Sequence, residues 1–284
     1  MNMFKTIVLM SGLTVLLVLL GDYYGGRQGA IMALLFAGGL NFVAYWFSDK
    51  IALMSYKAQP VTEAEAPELY NMVRTLATRA SLPMPKVYII PSASPNAFAT
   101  GRNPQHAAVA VTQGIMQLLN RQELEGVIAH ELAHVQHRDI LIATVVATLA
   151  GAIIMIARMA GYAAMFGGYG GDRDRDRGGG GALGMILMMI LAPIAALLIK
   201  MWISRTREYS ADSGGALIAG SPQGLASALE KLQTGVQIAP MNANPASSHL
   251  FIVNPLSGKS LMSLFSTHPP IEERVAKLKA MSRG

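Results

Sequence analysis

The sequence predicts an α+β protein that is mostly helical, with four transmembrane helices and a polar part built around a small β-sheet. Two observations lead to this fold class. Hydrophobic residues make up 52% of the chain and charged residues only 14%, whereas a soluble domain has about 25% charged residues. Long apolar runs also alternate with polar segments whose apolar residues follow helical or strand spacing.

Four apolar runs cover residues 6–20, 30–47, 140–156 and 182–199. Each is close to the roughly 20 residues that cross a hydrocarbon core. Buried core helices are the alternative, chiefly for the last two runs, which are short for a span. The first run could also be a cleaved signal peptide, but no Ala-x-Ala-like site follows it and a second apolar run comes at once. We therefore expect an uncleaved membrane anchor.

The runs divide the chain into four predicted parts. These are a transmembrane hairpin at 1–47, a first catalytic part at 48–139, a second hairpin at 140–199 and a second catalytic part at 200–284. Lys and Arg are concentrated in the two polar parts and sparse between the first two runs. By the positive-inside rule, both polar parts and both termini face the cytoplasm. No aromatic-interleaved basic patch suggests nucleic acid, and no cysteine is present.

The second hairpin carries "GGYGGDRDRDRGGGGA" at its tip, which reads as a flexible, solvated linker. In the polar parts, 60–80 has helical spacing, and Thr62 with Glu65 resembles a capping box. Short strands are predicted at "KVYII", "NAFATG" and "AAVAVT", the last two joined by the turn "GRNPQH". Further helices are predicted at 114–139, 204–219, 222–234 and 270–281.

The segment "HELAH" is the strongest functional signal. On a helix, His130 and His134 stand on one face, so both imidazoles can reach one metal ion. Glu131 lies beside that face and can hold a water molecule. The surrounding segment is compatible with a helix whose packed stripe is Leu124, Val127, Ile128 and Leu132. The pattern predicts a zinc site, with one ion per chain.

A catalytic zinc ion usually has three protein ligands and an open position. The HExxHxxGxxH pattern fails here, because positions 137 and 140 are His and Ile. "RTREYSADSGGA" instead offers Glu208 as a third ligand, with Asp212 one helical turn later to orient a ligand histidine. The alternative is that both are surface charges paired with nearby arginines. His137, seven residues after His130, is a rival ligand, although solvent, a phosphate headgroup or Asp139 suits it better.

This ligand set predicts hydrolysis of an amide, with Glu131 as general base. The developing oxyanion needs a donor besides the metal. His268 and Arg274, both in or near "STHPPIEERV", are the preferred candidates. His249 and Tyr209 are weaker ones. "PNAFATG" also fits an exposed sheet edge that could hold a substrate as an added strand.

Together, NAFATG, HELAH, a membrane hairpin, RTREYSAD and STHPPIEERV resemble the HtpX family of integral-membrane zinc metalloproteases. The resemblance covers essentially the whole chain. The same core motifs occur in the larger CAAX prenyl proteases, but this chain is too short and has too few apolar runs to resemble those closely.

The resemblance implies a gluzincin-like catalytic domain facing the cytoplasm at a bacterial inner membrane. It implies zinc held by His130, His134 and Glu208, with Glu131 catalytic. Asp212 matches the aspartate of the family's ExxxD motif. It places Asn96, Ala97 and Phe98 on the substrate-binding strand. It also implies that misfolded or damaged membrane proteins are the substrates, in quality control under stress. No oligomeric state is predicted.

Two other functions stay open at this point. One is a membrane protein whose zinc is structural or whose catalysis is lost. Against it, a structural zinc site normally has four protein ligands, mostly cysteine, and this chain contains no cysteine. The other is a chaperone module that retains membrane clients without cutting them. Chelators would not affect such a module.

Overall fold

The computed structural model describes residues 2–166, 205–238, 250–253 and 269–282. The fourth apolar run, the glycine-rich segment at 167–182, His249 and His268 lie outside these residues. The described helices are α1 Asn2–Ser55, α2 Pro67–Arg79, α3 Gln113–Leu118, α4 Arg121–Gln136, α5 Ile140–Phe166, α6 Arg205–Ala219, α7 Gln223–Ile238 and α8 Ile271–Met281. The strands are β1 Gln59–Pro60, β2 Lys86–Ile90, β3 Ala97–Gly101 and β4 Ala107–Thr112.

Helix α1 contains the first two apolar runs and is bent at Gly26, whose combination of φ 54° with ψ −153° is adopted essentially only by glycine. Two stretches of α1, Thr6–Tyr23 and Gly25–Ser55, are long and apolar enough to cross a membrane. The two halves fold back on each other, since Asn41 donates to the Met10 carbonyl at 3.3 Å and to Thr14 Oγ1 at 2.8 Å. The two halves therefore form a helical hairpin.

Helix α5 contains the third apolar run and packs against this hairpin. Its residues Leu141, Val145 and Leu149 are buried in one cluster with Leu13 and Ala44 of α1. The apolar stretch of α5 that packs in this way, Ile140–Ile153, is shorter than the two stretches of α1. Among the described residues, therefore, the two halves of α1 are long and apolar enough for membrane spans, and α5 is an apolar helix packed against them.

The four strands form one mixed sheet in the order β1-β2-β4-β3. The β2–β4 pair is parallel, and the β1–β2 and β3–β4 pairs are antiparallel. One face, which includes Val87 and Val109, packs in the main core with α2 and α4. The other face, which includes Phe98, packs with Leu53 of α1 and with Tyr56, the residue that follows α1. The sheet therefore lies between the apolar hairpin and helix α4, and the small sheet predicted from sequence is confirmed.

The predicted start of the helix at 60–80 is wrong. Thr62 and Glu65 do pair, with the Thr62 N–H donating to Glu65 Oε2 at 2.7 Å, but they form a turn ahead of the helix. Helix α2 begins at Pro67 instead, because proline is favourable in the first turn and lacks the N–H that a later helical position would need. Residues 59–60 pair with β2 as strand β1.

The single helix predicted over 114–139 is wrong, because Leu119 and Asn120 are extended and separate α3 from α4. Helix α4 is anchored at its N-terminus by a capping box. Asn120 Oδ1 accepts from the Glu123 N–H at 3.0 Å, and Glu123 Oε2 accepts from the Asn120 N–H at 2.9 Å. Glu123 is buried and also contacts α7, since its carboxylate accepts from Ser227 Oγ at 2.6 Å and Lys231 Nζ at 2.8 Å. One carboxylate thus fixes both the start of α4 and its packing on α7.

Glu123→Ala should lower the stability of the protein, because it removes the cap and leaves Lys231 and Ser227 without their partner. The cost should be about 2 kcal/mol, or a fall of roughly 5 °C in the apparent Tm, measured by thermal unfolding in detergent. Glu125→Ala is the matched control, since the contact of Glu125 with Arg121 is exposed on the arginine side and should contribute little. Equal losses in the two variants would contradict the anchoring role of Glu123.

Candidate metal centre and catalytic site

Helix α4 carries the two histidines of the HELAH segment on its buried side. His130 is 1% exposed, and His134 lies one helical turn further at the rim of the core. The ring centroids are 4.8 Å apart and the rings are perpendicular. The Leu124, Val127, Ile128 and Leu132 stripe predicted from sequence is buried in the main core, which orients the histidine face towards α6.

Glu208 of α6 completes a group of three donor atoms. Its Oε2 lies 3.9 Å from His130 Nε2, and its Oε1 lies 3.7 Å from His134 Nε2. All three donor atoms lie within 4.8 Å of one another. Tetrahedral ligands at about 2.1 Å from a zinc ion are about 3.4 Å apart, so these atoms need to move little to hold one divalent ion.

The close packing of α6 on α4 brings Glu208 to the histidines. Gly215 of α6 lies against the His130 backbone, and a Cβ at this position would come within 2.8 Å of His130 Cα. Glu208 and Asp212 are both buried. The alternative that they are solvent-exposed surface charges is therefore wrong.

Asp212 lies behind His130 on the side away from Glu208. Its Oδ1 is 3.0 Å from His130 Nδ1, although the contact falls short of an aligned hydrogen bond. Arg274 of α8 is fully buried and donates to the same carboxylate, from Nε to Oδ2 at 2.9 Å and from Nη2 to Oδ1 at 2.6 Å. Burial would raise the pKa of Asp212, but Arg274 and His130 outweigh it and lower the pKa to about 2. Asp212 is therefore an anion that favours the Nδ1–H tautomer of His130 and leaves Nε2 available as a ligand.

Asp139 plays the corresponding part for His134, and the sequence analysis missed it in this role. Its Oδ2 lies 3.3 Å from His134 Nδ1, and the residue is buried. Burial opposes protonation of His134, but Asp139 and the nearby glutamates outweigh it and raise the pKa to about 9 in the absence of a bound cation. Each histidine thus has an aspartate on its Nδ1 side.

The end of α4 explains how Asp139 reaches back to His134. Arg138 adopts a φ of 58°, and the Asp139 N–H donates to the His134 carbonyl at 2.9 Å while the Arg138 N–H donates to the Val135 carbonyl at 3.0 Å. This is a Schellman termination, usually made with glycine. Asp139 is five positions after His134, a spacing that does not bring two side chains together on a helix. Only the reversal of the chain at Arg138 brings the two together.

Glu131 faces strand β3 rather than solvent. It is buried, and its Oε2 accepts from the Ala99 N–H at 2.8 Å. Burial raises the pKa of Glu131 to about 7, helped by the charge of Glu208 and opposed by His134, the Ala99 N–H and Arg274. A bound cation would lower that pKa. A carboxyl group held in this way can accept a proton and return it near neutral pH.

The predicted substrate strand β3 lies at one end of the sheet. The Asn96 side chain is buried and donates to the Val253 carbonyl at 2.9 Å, and Phe98 packs on Tyr56 and Phe251. The Ala97 carbonyl, which points away from β4, accepts from the Ile252 N–H at 3.2 Å. Asn96 and Phe98 therefore serve the core, and contact of these residues with a substrate stays a prediction.

The structure gives different positions and partners to the candidate oxyanion donors. Arg274 Nη1 donates to the Ile252 carbonyl at 3.2 Å, and Nη2 lies 3.5 Å from His130 Nε2, so the guanidinium is beside the metal group but engaged with other partners. Tyr209 donates to Glu273 Oε2 at 2.7 Å. His268 lies outside the described residues. His137 is exposed at the end of α4 and is not part of the group of three donors.

Comparison with known proteins places the chain in one family of peptidases. The model of peptidase family M48 matches residues 63–282. The protease HtpX homolog of Thermodesulfovibrio yellowstonii is 59% identical over 283 residues, covering 100% of this chain and 99% of the relative. That of Desulfatibacillum aliphaticivorans is 58% identical over 277 residues, covering 98% and 89%. The crystal structure of S. mikatae Ste24p matches 98% of this chain and 65% of its own, with a TM-score of 0.50 and 21% identity, and shows the fold alone.

Asp139→Ala should weaken binding of a divalent metal ion by about 10- to 100-fold, because His134 loses the group that fixes its ring orientation and tautomer. Competition between the purified protein and a chelator measures the affinity. His137→Ala is the control, since it is close in sequence but outside the donor group, and it should leave the affinity unchanged. An unaltered affinity in Asp139→Ala would show that the contact with His134 does not support metal binding.

Proposed function

Since the chain belongs to the HtpX proteases of peptidase family M48, we propose that it is a zinc-dependent endopeptidase that cleaves membrane proteins where they leave the bilayer. That it is a membrane metalloprotease follows from the family itself. The observation that carries the finer proposal is the convergence of His130, His134 and Glu208 directly beside Glu131, in a domain packed on an apolar hairpin.

Zinc is the metal that suits this donor set best. Two imidazole nitrogens and one carboxylate oxygen are a common set for catalytic zinc, and three protein ligands leave a position for water or substrate. The chain contains no cysteine, which argues against a closed structural site of the usual thiolate type. When bound, zinc supplies Lewis acidity that activates water and polarises a peptide carbonyl.

Glu131 is the proposed general base and acid. The hydrogen bond from Ala99 fixes one carboxylate oxygen, Oε2, so Oε1 is the oxygen available to a water molecule at the metal centre. The carboxyl group takes a proton from that water and delivers it to the leaving amine. Because Ala99 belongs to β3, the same hydrogen bond fixes the distance between Glu131 and the strand proposed to hold the substrate.

Substrate binding is proposed to use the backbone of β3 rather than the side chains of Asn96 and Phe98. The N–H and carbonyl groups of Ala97 and Ala99 point away from β4, as the contacts with Ile252 and Glu131 indicate. Strand β3 is buried, and three of these groups already have partners: the Ala97 N–H with Asn96 Oδ1, the Ala97 carbonyl with the Ile252 N–H and the Ala99 N–H with Glu131. A peptide added along this edge, next to the donor group, would therefore have to displace some of these contacts. Arg274 is proposed to act through Asp212 and His130, and His268 remains a candidate for stabilising the oxyanion.

The orientation and physiological role are further parts of the proposal. The excess of Lys and Arg in 48–139 and 200–284 supports a catalytic domain and termini in the cytoplasm, at the inner membrane of a bacterium. Only three residues lie between the end of α4 and the start of the apolar helix α5. This short connection supports the proposal that the substrates are polypeptides emerging from the bilayer. Misfolded or damaged membrane proteins fit this position, in quality control under stress.

Glu131→Gln should abolish proteolysis while zinc remains bound. The amide retains an oxygen that can accept the Ala99 hydrogen bond but cannot take up a proton, so the rate should fall at least about a hundredfold. Cleavage of casein by the purified protein in detergent with zinc, together with metal content, measures both properties. Glu125→Gln on the same helix is the control. Activity equal to the wild type in Glu131→Gln would refute the role of Glu131, whereas a wild-type protein that retains casein without cleaving it, with or without a chelator, would favour a client-retaining chaperone.

Single-cysteine labelling tests the orientation, because the chain has no cysteine of its own. Thr75→Cys lies on the exposed side of α2, and Gln28→Cys lies in the exposed turn between the two halves of α1. In intact spheroplasts, a membrane-impermeant maleimide should label Gln28→Cys and spare Thr75→Cys until the membrane is opened. The reverse pattern would place the catalytic domain outside.

A further inference from the structure

A recess away from the metal centre lies on the face of the sheet that packs against the end of α1. It has a volume of about 710 Å³, within the range of small-molecule pockets. One wall is the end of α1, and the other is formed by β2 and the turn between β3 and β4. The lining residues are Phe42, Trp46, Phe47, Asp49, Lys50, Leu53, Met84, Lys86, Tyr88, Arg102, Gln105, His106, Ala107 and Ala108.

The apolar half of the recess belongs to the second candidate membrane span. Phe42, Trp46 and Phe47 are 58%, 44% and 41% exposed, although they lie in a stretch apolar enough to cross a bilayer. The charge-free run 30–47 ends here, and Asp49 and Lys50 follow after Ser48. Aromatic side chains at such a transition are typical of the boundary between acyl chains and headgroups.

The polar half of the recess is basic. Lys50, Lys86 and Arg102 line it against a single carboxylate, Asp49. Arg102 stacks on Trp46, with its Cζ 4.8 Å from the ring centre, and Lys50 Nζ is 5.5 Å from the ring centre of Phe47. Within the described ranges, none of these three cations forms a salt bridge. Cations held next to exposed aromatic rings, without a carboxylate partner, lack the counter-charge that a phosphate group would supply.

We propose that this recess binds the headgroup of an anionic phospholipid, with its phosphate at Lys86 and Arg102 and its acyl chains along Phe42 and Trp46. A lipid fits better than a soluble phosphate ester or an acidic peptide, because the apolar wall continues directly from the basic wall. The site lies on the opposite face of the sheet from α4 and the metal donors. A bound lipid would therefore set the depth of the sheet relative to the bilayer surface.

Trp46 provides a direct readout that is independent of proteolysis. The chain has two tryptophans, so Trp202→Phe leaves Trp46 as the only one. The full chain with this change is reconstituted in phosphatidylcholine vesicles that contain a minor fraction of brominated lipid. Brominated phosphatidylglycerol should quench Trp46 more strongly than the same fraction of brominated phosphatidylcholine, with a relative binding constant higher by about tenfold.

Lys86→Gln with Arg102→Gln should remove this preference. Arg121→Gln with Lys279→Gln, which changes the net charge equally at exposed positions outside the recess, should retain it. Loss of the preference in both double variants, or no preference in the wild-type recess, would overturn the proposal. If soluble glycerol phosphate or an acidic peptide abolished the preference, the recess would be a site for those ligands instead, and the lipid proposal would be wrong.

Discussion

The burial of several carboxylates around two histidines is the constraint on which the rest of this structure depends. Glu131, Glu208, Asp212 and Asp139 are all buried in or beside the contact between α4 and α6. Buried charges are costly unless they are paired. Arg274 neutralises Asp212, and the partly buried Arg207 interacts electrostatically with Asp139 and Glu208. A divalent cation between His130, His134 and Glu208 would offset much of the remaining negative charge, so metal binding and the packing of α4 on α6 support each other.

The same constraint explains which charged residues lie on each side of the two histidines. Glu208 faces the Nε2 atoms of both histidines, while Asp212 and Asp139 lie on their Nδ1 sides. Arg274 then holds Asp212 from α8, and its contact with the Ile252 carbonyl links the metal group to the segment that pairs with β3. Removing one partner from this series would leave another buried charge unpaired, which is usually more destabilising than losing the contact itself.

Much of this site could be predicted from sequence because its information is local. HELAH and RTREYSAD place their key residues four apart on single helices, and helical periodicity is a strong signal. Strands β2, β3 and β4 and the described helices after residue 200 also agree with the sequence within a few residues, whereas β1 is not predicted. What the sequence did not reveal depends on backbone reversals and long-range contacts. Asp139 reaches His134 only through the left-handed conformation of Arg138, and Pro67 rather than Thr62 determines the start of α2.

The central claim is that two imidazoles and the Glu208 carboxylate hold one zinc ion. X-ray absorption spectroscopy of the zinc-loaded protein tests it most directly, because multiple scattering from imidazole rings counts the bound histidines. The account predicts two imidazoles with oxygen ligands in the wild type, and loss of one oxygen contribution or of the metal in Glu208→Ala. A third imidazole in the wild type, or a zinc environment unchanged in Glu208→Ala, would contradict it.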